Sequence, residues 1–173
     1  MLPTVASCYE TPMIIRAETP DDIAAIRQVH VAAFPSSAEA DLVDRLRRDG
    51  DAVISLVAVD DDRVIGHALF SKMRARFRAL GLAPVAVTEE KRRQGVAAAL
   101  IRNGIRQAED AGWDAVFVLG DPAYYGRFGF NAEAAAAFDC PFAGPHFMLL
   151  ILNPKTMPAT GRVDYAPAFA ALP

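Results

Sequence analysis

The sequence predicts a single α/β domain with a mixed central β-sheet and helices on both of its faces. Three observations carry this: two β-rich runs at 53–59 and 64–70 joined by a polar turn, an amphipathic stretch over 96–111, and the continuous apolar run Ala115-Val-Phe-Val-Leu119. A hairpin pairs antiparallel, whereas a strand, a crossover helix and a second strand pair parallel, so both orientations meet in one sheet. A chain of 173 residues suits one compact core.

Taken in order, residues 1–12 contain Pro3 and Pro12, show neither periodicity, and read as a flexible N-terminal arm. Met13-Ile-Ile-Arg16-Ala reads as a short strand. Thr19-Pro-Asp-Asp22 then supplies an N-cap, an N1 proline and first-turn acids for a helix whose inner face carries Ile23, Ile26 and His30. Ser36 or Ser37 caps a second helix with Leu42, Val43 and Leu46 inward, and Gly50 ends it. Asp60-Asp-Asp-Arg63 is the polar turn of the hairpin, and 80–88 is a further strand of the same sheet. In the helix over 96–111 the stripe is Ala97, Leu100, Ile101, Gly104, Ile105 and Ala108. Gly112 stops that helix, and 115–119 reads as a strand covered on both faces. A short helix near 123–128 and a last strand over 147–152 follow. The expected organisation is an arm over 1–12, a domain over 13–153, and a proline-containing tail over 154–173 packed on that domain.

Composition removes several function classes. With 53% hydrophobic and 23% charged residues the chain is too apolar for disorder, and a net charge of −3 argues against broad nucleic-acid binding. No apolar run is long enough to cross a bilayer, and Cys8 and Cys140 make no metal-type spacing, so a reduced, cytoplasmic, metal-free protein is expected.

Lys91-Arg92-Arg93-Gln94-Gly95-Val96-Ala97 lies between a strand and the N-terminus of the amphipathic helix, where free N–H groups and the helix dipole favour an anion. Three adjacent cations repel one another unless several negative charges lie over the turn, which suits a pyrophosphate. A bare basic run before a helix is more often a solvated loop, and neither a Walker loop nor a dinucleotide fingerprint is present. Arg92-x-x-Gly95-x-Ala97, however, resembles the Q/R-x-x-G-x-G/A motif of the GNAT superfamily of acetyl-CoA-dependent N-acyltransferases, and the order of elements over 13–130 is similar too. The resemblance implies that Val85, Ala86 and Val87 pair with the pantetheine arm. It also implies that amides from Arg93 to Ala97, with Arg92, Gln94, Gly95 and Val96 around them, hold the pyrophosphate of acetyl-CoA. Pro84 marks irregular pairing at the family's strand opening, or is an edge proline.

Gly120-Asp121-Pro-Ala-Tyr124-Tyr125-Gly-Arg127-Phe128-Gly129-Phe130 resembles the family's second signature, a tyrosine four residues before a Gly-Phe pair, and the stretch is similar to the YhbS-like bacterial subgroup. By that resemblance Tyr125 is the catalytic residue, its hydroxyl serving the departing thiolate. Full proton transfer from a phenol near 10 to a thiolate near 8.5 is uphill by roughly 2 kcal/mol, so hydrogen bonding serves as well. A general base is not legible: Glu89 and Glu90 lie close to the basic loop, and His67, Asp121 and His146 are equally compatible with structural roles. Cys140 reads as buried filler, in a stretch to His146 that is expected to wall the acceptor site, and Arg74, Arg76 and Arg78 alternate as on a strand.

The expected activity is direct transfer of an acetyl group to a primary amine of a small molecule or protein, in a ternary complex. The alternative is a non-catalytic acyl-CoA sensor, and a nucleic-acid partner is a weaker third reading. An all-apolar strand beside an exposed hairpin edge is compatible with a homodimer.

Overall fold

A computed structural model describes residues 12–173, so the expected arm falls outside the described residues up to residue 11. Strand β1 (Ile14–Ala17) leads through a 3-10 turn to helix α1 (Ile23–Ala33), followed by α2 (Ala38–Arg48) and the strands β2 (Ala52–Asp60), β3 (Arg63–Lys72) and β4 (Ala79–Val87). Helix α3 (Val96–Asp110) crosses to β5 (Ala115–Leu119). Short helices α4 (Pro122–Tyr125) and α5 (Ala132–Ala135), then β6 (Phe138–Asp139), β7 (Phe147–Ile151) and β8 (Gly161–Arg162), complete the chain. Six strands form one mixed sheet in the order β1-β2-β3-β4-β5-β7, with β4 and β5 the parallel pair and every other neighbour antiparallel. No helix among the described residues is long and apolar enough to cross a membrane.

The sheet separates two apolar cores. On one face Ile26 of α1 and Leu42, Val43 and Leu46 of α2 meet Val57, Leu69 and Phe117. On the other, Val96, Leu100, Ile101 and Ala108 of α3 meet Leu56, Phe70 and Leu80. The proline-containing end closes the first core, with Val163, Tyr165, Ala166 and Phe169 buried against it. The inner face of α1 is Ile26, Val29 and His30; Ile23 sits at its rim, 36% exposed. The arginines at 74, 76 and 78 do not share a strand, because the chain bends there. Arg74 bridges to Asp164, while Arg78 donates to the C=O groups of Ala111 and Gly112 and stacks over Trp113, closing the end of α3.

A buried polar chain ties α1, α2 and the sheet together. His30 Nε2 lies 2.8 Å from His67 Nδ1, His67 Nε2 lies 2.8 Å from Ser55 Oγ, and Ser55 donates to Glu18, which also accepts from Arg47 Nε at 2.8 Å. Burial alone would raise the Glu18 carboxyl, but the His67 ring 3.5 Å away and the hydrogen bonds from Arg47 and Ser55 outweigh it and hold it far below the usual carboxylate range. An ionised Glu18 takes the one Ser55 proton, so His67 Nε2–H must donate to Ser55 and His30 Nε2–H to His67. Both imidazoles are then neutral, with their tautomers assigned by the chain of donors. Burial, with the His67 and Arg47 groups beside it, pushes His30 down to about 3.

Gly104 of α3 shows how tightly the second core is filled, since a Cβ there would lie 2.0 Å from the Phe70 ring. Gly104→Ala gains about 1 kcal/mol of helix propensity but overpacks a fully buried ring at a cost of roughly 1–3 kcal/mol. The clash should win, and a lowered Tm in thermal denaturation is the expected result.

The histidine pair makes stability acid-sensitive. A folded-state pKa below the unfolded value near 6.5 means stability is present above pH 6.5 and lost as pH falls toward 3. Urea denaturation at pH 7 and pH 5 should differ by about 2 kcal/mol from His30 alone, with Glu18 adding to the loss at lower pH. A rise in stability on acidification would contradict the neutral pair.

Candidate active site

β4 and β5 pair only at Ala79, Leu80 and Gly81, opposite Ala115, Val116 and Phe117. Beyond Gly81, β4 follows β3 alone, with a register shift between Ala68 and Phe70 opposite the Ala83–Pro84 bond, which is cis. β5 meanwhile stays with β7 along its whole length. The irregular pairing expected at Pro84 is therefore present, and the edge of β4 that faces β5 is open over Val85, Ala86 and Val87. Unpaired strand edges offer N–H and C=O groups to a ligand.

At the end of this edge the chain turns into α3 through Arg93 at φ 58° and Gly95 at φ 82°. Gly95 is the residue preceding the first turn of α3, and a Cβ built on it would meet nothing within 4 Å, so the space over the helix N-terminus is clear. A groove of about 600 Å³ runs from β4 to this turn, lined by Val85, Ala86, Val87, Arg92, Arg93, Gly95, Val96 and Ala97. All the binding residues named from the sequence line it except Gln94, whose side chain turns back to donate to the Glu90 C=O at 2.8 Å. The three adjacent cations are not equivalent. Lys91 pairs with Asp60 at 2.6 Å and Arg92 Nε donates to the Val87 C=O at 3.3 Å, whereas Arg93 is exposed and Arg127 arrives from beyond β5. Arg127, Tyr124 and Ala98 are lining residues that sequence reasoning missed. Arg127 and Tyr124 lay inside the second motif, but nothing in their spacing marked them as facing the groove.

Asp121 starts α4, its side chain accepting from the Ala123 N–H at 2.9 Å with Pro122 next in line. That employment is structural, as is that of His146, whose Nδ1 lies 3.1 Å from the Gly120 C=O. His67 is locked in the buried chain described above. The single turn of α4 points its two tyrosines in different directions. Tyr124 lines the groove, under the Arg127 guanidinium at 4.6 Å, whereas Tyr125 lines a neighbouring cavity of about 480 Å³. Tyr125 meets Tyr124 and Phe130 edge-on at 5.1 and 5.9 Å. Its ring crosses Gly120, where a Cβ would lie 2.4 Å from it, so only glycine leaves room for this placement. Burial, reinforced by Tyr124, pushes the Tyr125 phenol up to about 12, which keeps it a proton donor at neutral pH.

The cavity beside Tyr125 includes Leu82, Ala83, Pro84 and Val85 of β4 and Phe34, which follows α1. Val85 lines both cavity and groove, so the two meet where the strands part. Of the stretch 140–146 only Phe142 reaches the cavity wall; Cys140 is buried and its thiol is raised, chiefly by burial.

Residues 14–132 match the acetyltransferase (GNAT) domain family. The chain is 42% identical over 136 residues to the N-acetyltransferase YhbS of Escherichia coli strain K12, covering 76% of this chain and 81% of that protein. The crystal structure of Escherichia coli YhbS in complex with CoA superposes with a TM-score of 0.84 at 38% identity, over 91% of this chain and 92% of that one. A GNAT family acetyltransferase from Brucella melitensis in complex with acetyl-CoA superposes with a TM-score of 0.78 at 36% identity, over 91% and 98%. The parted strands, the open turn before α3 and the extent of these matches lead to one conclusion: this chain belongs to the GNAT family of N-acetyltransferases.

Proposed function

We propose that the protein moves the acetyl group of acetyl-CoA directly to a primary amine, with both substrates bound at once. The observation that carries this is the continuity of groove and cavity at Val85, with a phenol on the cavity side. Acetyl-CoA lies with its pyrophosphate over the N–H groups from Arg93 to Ala97, where the dipole of the fifteen-residue α3 and the side chains of Arg93 and Arg127 meet its charge. Its pantetheine arm extends the sheet along Val85–Val87, which brings the thioester to the gap between β4 and β5. The amine enters from the apolar cavity.

The acceptor nitrogen arrives as an ammonium, and one proton leaves to solvent before attack. As the C–N bond forms and the C–S bond breaks, a second proton ends on the coenzyme A sulfur and the third stays on the amide. Tyr125 donates a hydrogen bond to the sulfur as charge gathers there. With the phenol at about 12 and a thiol near 8.5, complete transfer from Tyr125 would be uphill by about 5 kcal/mol, so Tyr125 stabilises the thiolate and solvent completes the protonation. A reducing cytoplasmic setting suits a protein whose Cys140 is free and buried.

Two variants test the assignment. Gly95→Glu places a carboxylate in the open space over the turn and should abolish acetyl-CoA binding in calorimetry. Tyr125→Phe should leave acetyl-CoA affinity within about twofold while lowering kcat by roughly 10²-fold. Unchanged turnover would remove Tyr125 from the chemistry, and acetyl-CoA binding without transfer to any amine would favour the sensor reading.

A further inference from the structure

The cavity beside Tyr125 is lined by apolar side chains, Phe34, Leu42, Leu82, Phe142 and Phe169 among them, and one charged side chain, that of Glu39. The phenols of Tyr125 and Tyr165 also reach it, and the C-terminal Pro173 lines it. Glu39 Oε2 and the Tyr165 hydroxyl are both buried, and neither has a hydrogen-bond partner among the described residues. Tyr165 is only 9% exposed, and its ring packs across the backbone of Gly81, at the point where the strands part. Burial, with Cys140 and Tyr125 nearby, raises its phenol far above the ordinary value, so it offers an O–H.

An acid in the first turn of a helix ordinarily serves the helix dipole. On α2 another acid fills that part. Asp41 shares the first turn with Glu39 and takes the Ser37 hydroxyl at 3.0 Å while pairing with Arg27. No ion pair among the described residues involves Glu39. A carboxylate only accepts hydrogen bonds, and leaving its buried oxygen unmet is costly. A partner that repays this cost must bring N–H donors and positive charge, and the surrounding walls require the rest of it to be apolar.

We propose that the acceptor is a monocationic primary amine with a compact aromatic or branched-alkyl body, its ammonium received by Glu39 and the Tyr165 hydroxyl oxygen before the nitrogen gives up a proton to solvent and attacks. This rests on the acetyltransferase reading and adds the acceptor class. Acidic acceptors are repelled by the Glu39 carboxylate. The further charges of a polyamine would lose hydration against the apolar walls, which disfavours it. Glu39 acts in recognition, so its effect belongs to KM for the amine and not to the chemical step.

The test uses 2-phenylethylamine as probe, with spermidine and glutamate as comparators. Coenzyme A release gives the rates, and calorimetry on the CoA-loaded protein gives binding directly. The wild type should acetylate 2-phenylethylamine with kcat/KM at least about 10²-fold above either comparator. Glu39→Gln should raise KM and Kd for it roughly 10- to 100-fold, with kcat and acetyl-CoA affinity nearly unchanged, and Tyr165→Phe should weaken it by a smaller factor. A preference for spermidine or glutamate, or a Glu39→Gln variant with unaltered KM and Kd, overturns the proposal. Retained acetyl-CoA binding with no 2-phenylethylamine binding sinks the acceptor class alone. Loss of acetyl-CoA binding by the wild type sinks the acetyltransferase reading beneath it.

Discussion

The architecture depends on the place where β4 and β5 stop pairing. Up to Gly81 the two strands share hydrogen bonds, and past it each keeps a different partner: β4 holds to β3 through a shifted register, while β5 holds to β7 along its full length. Backbone donors and acceptors in a sheet interior are ordinarily paired, so an unpaired stretch there is a demand for a ligand. The other parts of the site take their places from it. Helix α3 begins where the free edge of β4 ends, and α4 begins where the parallel β5 ends, so the basic turn and the two tyrosines stand on the two sides of one opening.

Electrostatics in this region is divided between holding the frame and meeting a ligand. Lys91 pins the basic loop to the β2–β3 hairpin through Asp60, and Arg92 reaches back to β4. The groove's remaining charge is carried by Arg93 and Arg127, beside a helix N-terminus whose amides need no titration to act. Behind the opposite face, the chain from His30 to Glu18 fixes α1 against β3 with every donor pointing the same way, which leaves His30 Nδ1 as the one buried ring nitrogen without a partner among the described residues. Phe34, the residue that caps the end of α1, stacks parallel to His30 at 6.0 Å and forms part of the cavity wall. The acceptor side is thereby braced by a polar network, although its own surface is almost wholly apolar.

Most elements were legible in the sequence, since periodicity and punctuation are local. The stripe from Ala97 to Ala108 marked α3, the run Ala115–Leu119 matched β5 at both ends, and Gly95 and Gly112 bracketed the helix at positions whose φ is positive. The groove was legible for the same reason: Val85 to Val87 and Arg92 to Ala97 are two short contiguous pieces, and all of them but Gln94 line it. Arg74, Arg76 and Arg78 were misread because alternation alone cannot reveal that the chain bends, and Arg78 serves the end of α3 through contacts more than thirty positions away.

The acceptor side could not be read in this way. Glu39 and Tyr165 are separated by most of the chain and meet only because α2 and the C-terminal segment pack on the same face of the sheet. Tyr124 and Tyr125 are adjacent and chemically alike, and only the direction of one helical turn sends the first to the groove and the second to the cavity. By itself, the sequence determined the main strands and helices, the glycine-containing turn before α3 and the family, because each is written in neighbouring residues. Only the tertiary structure decided which polar groups are left unmet in the acceptor cavity, because burial and partnering belong to the packing of distant segments.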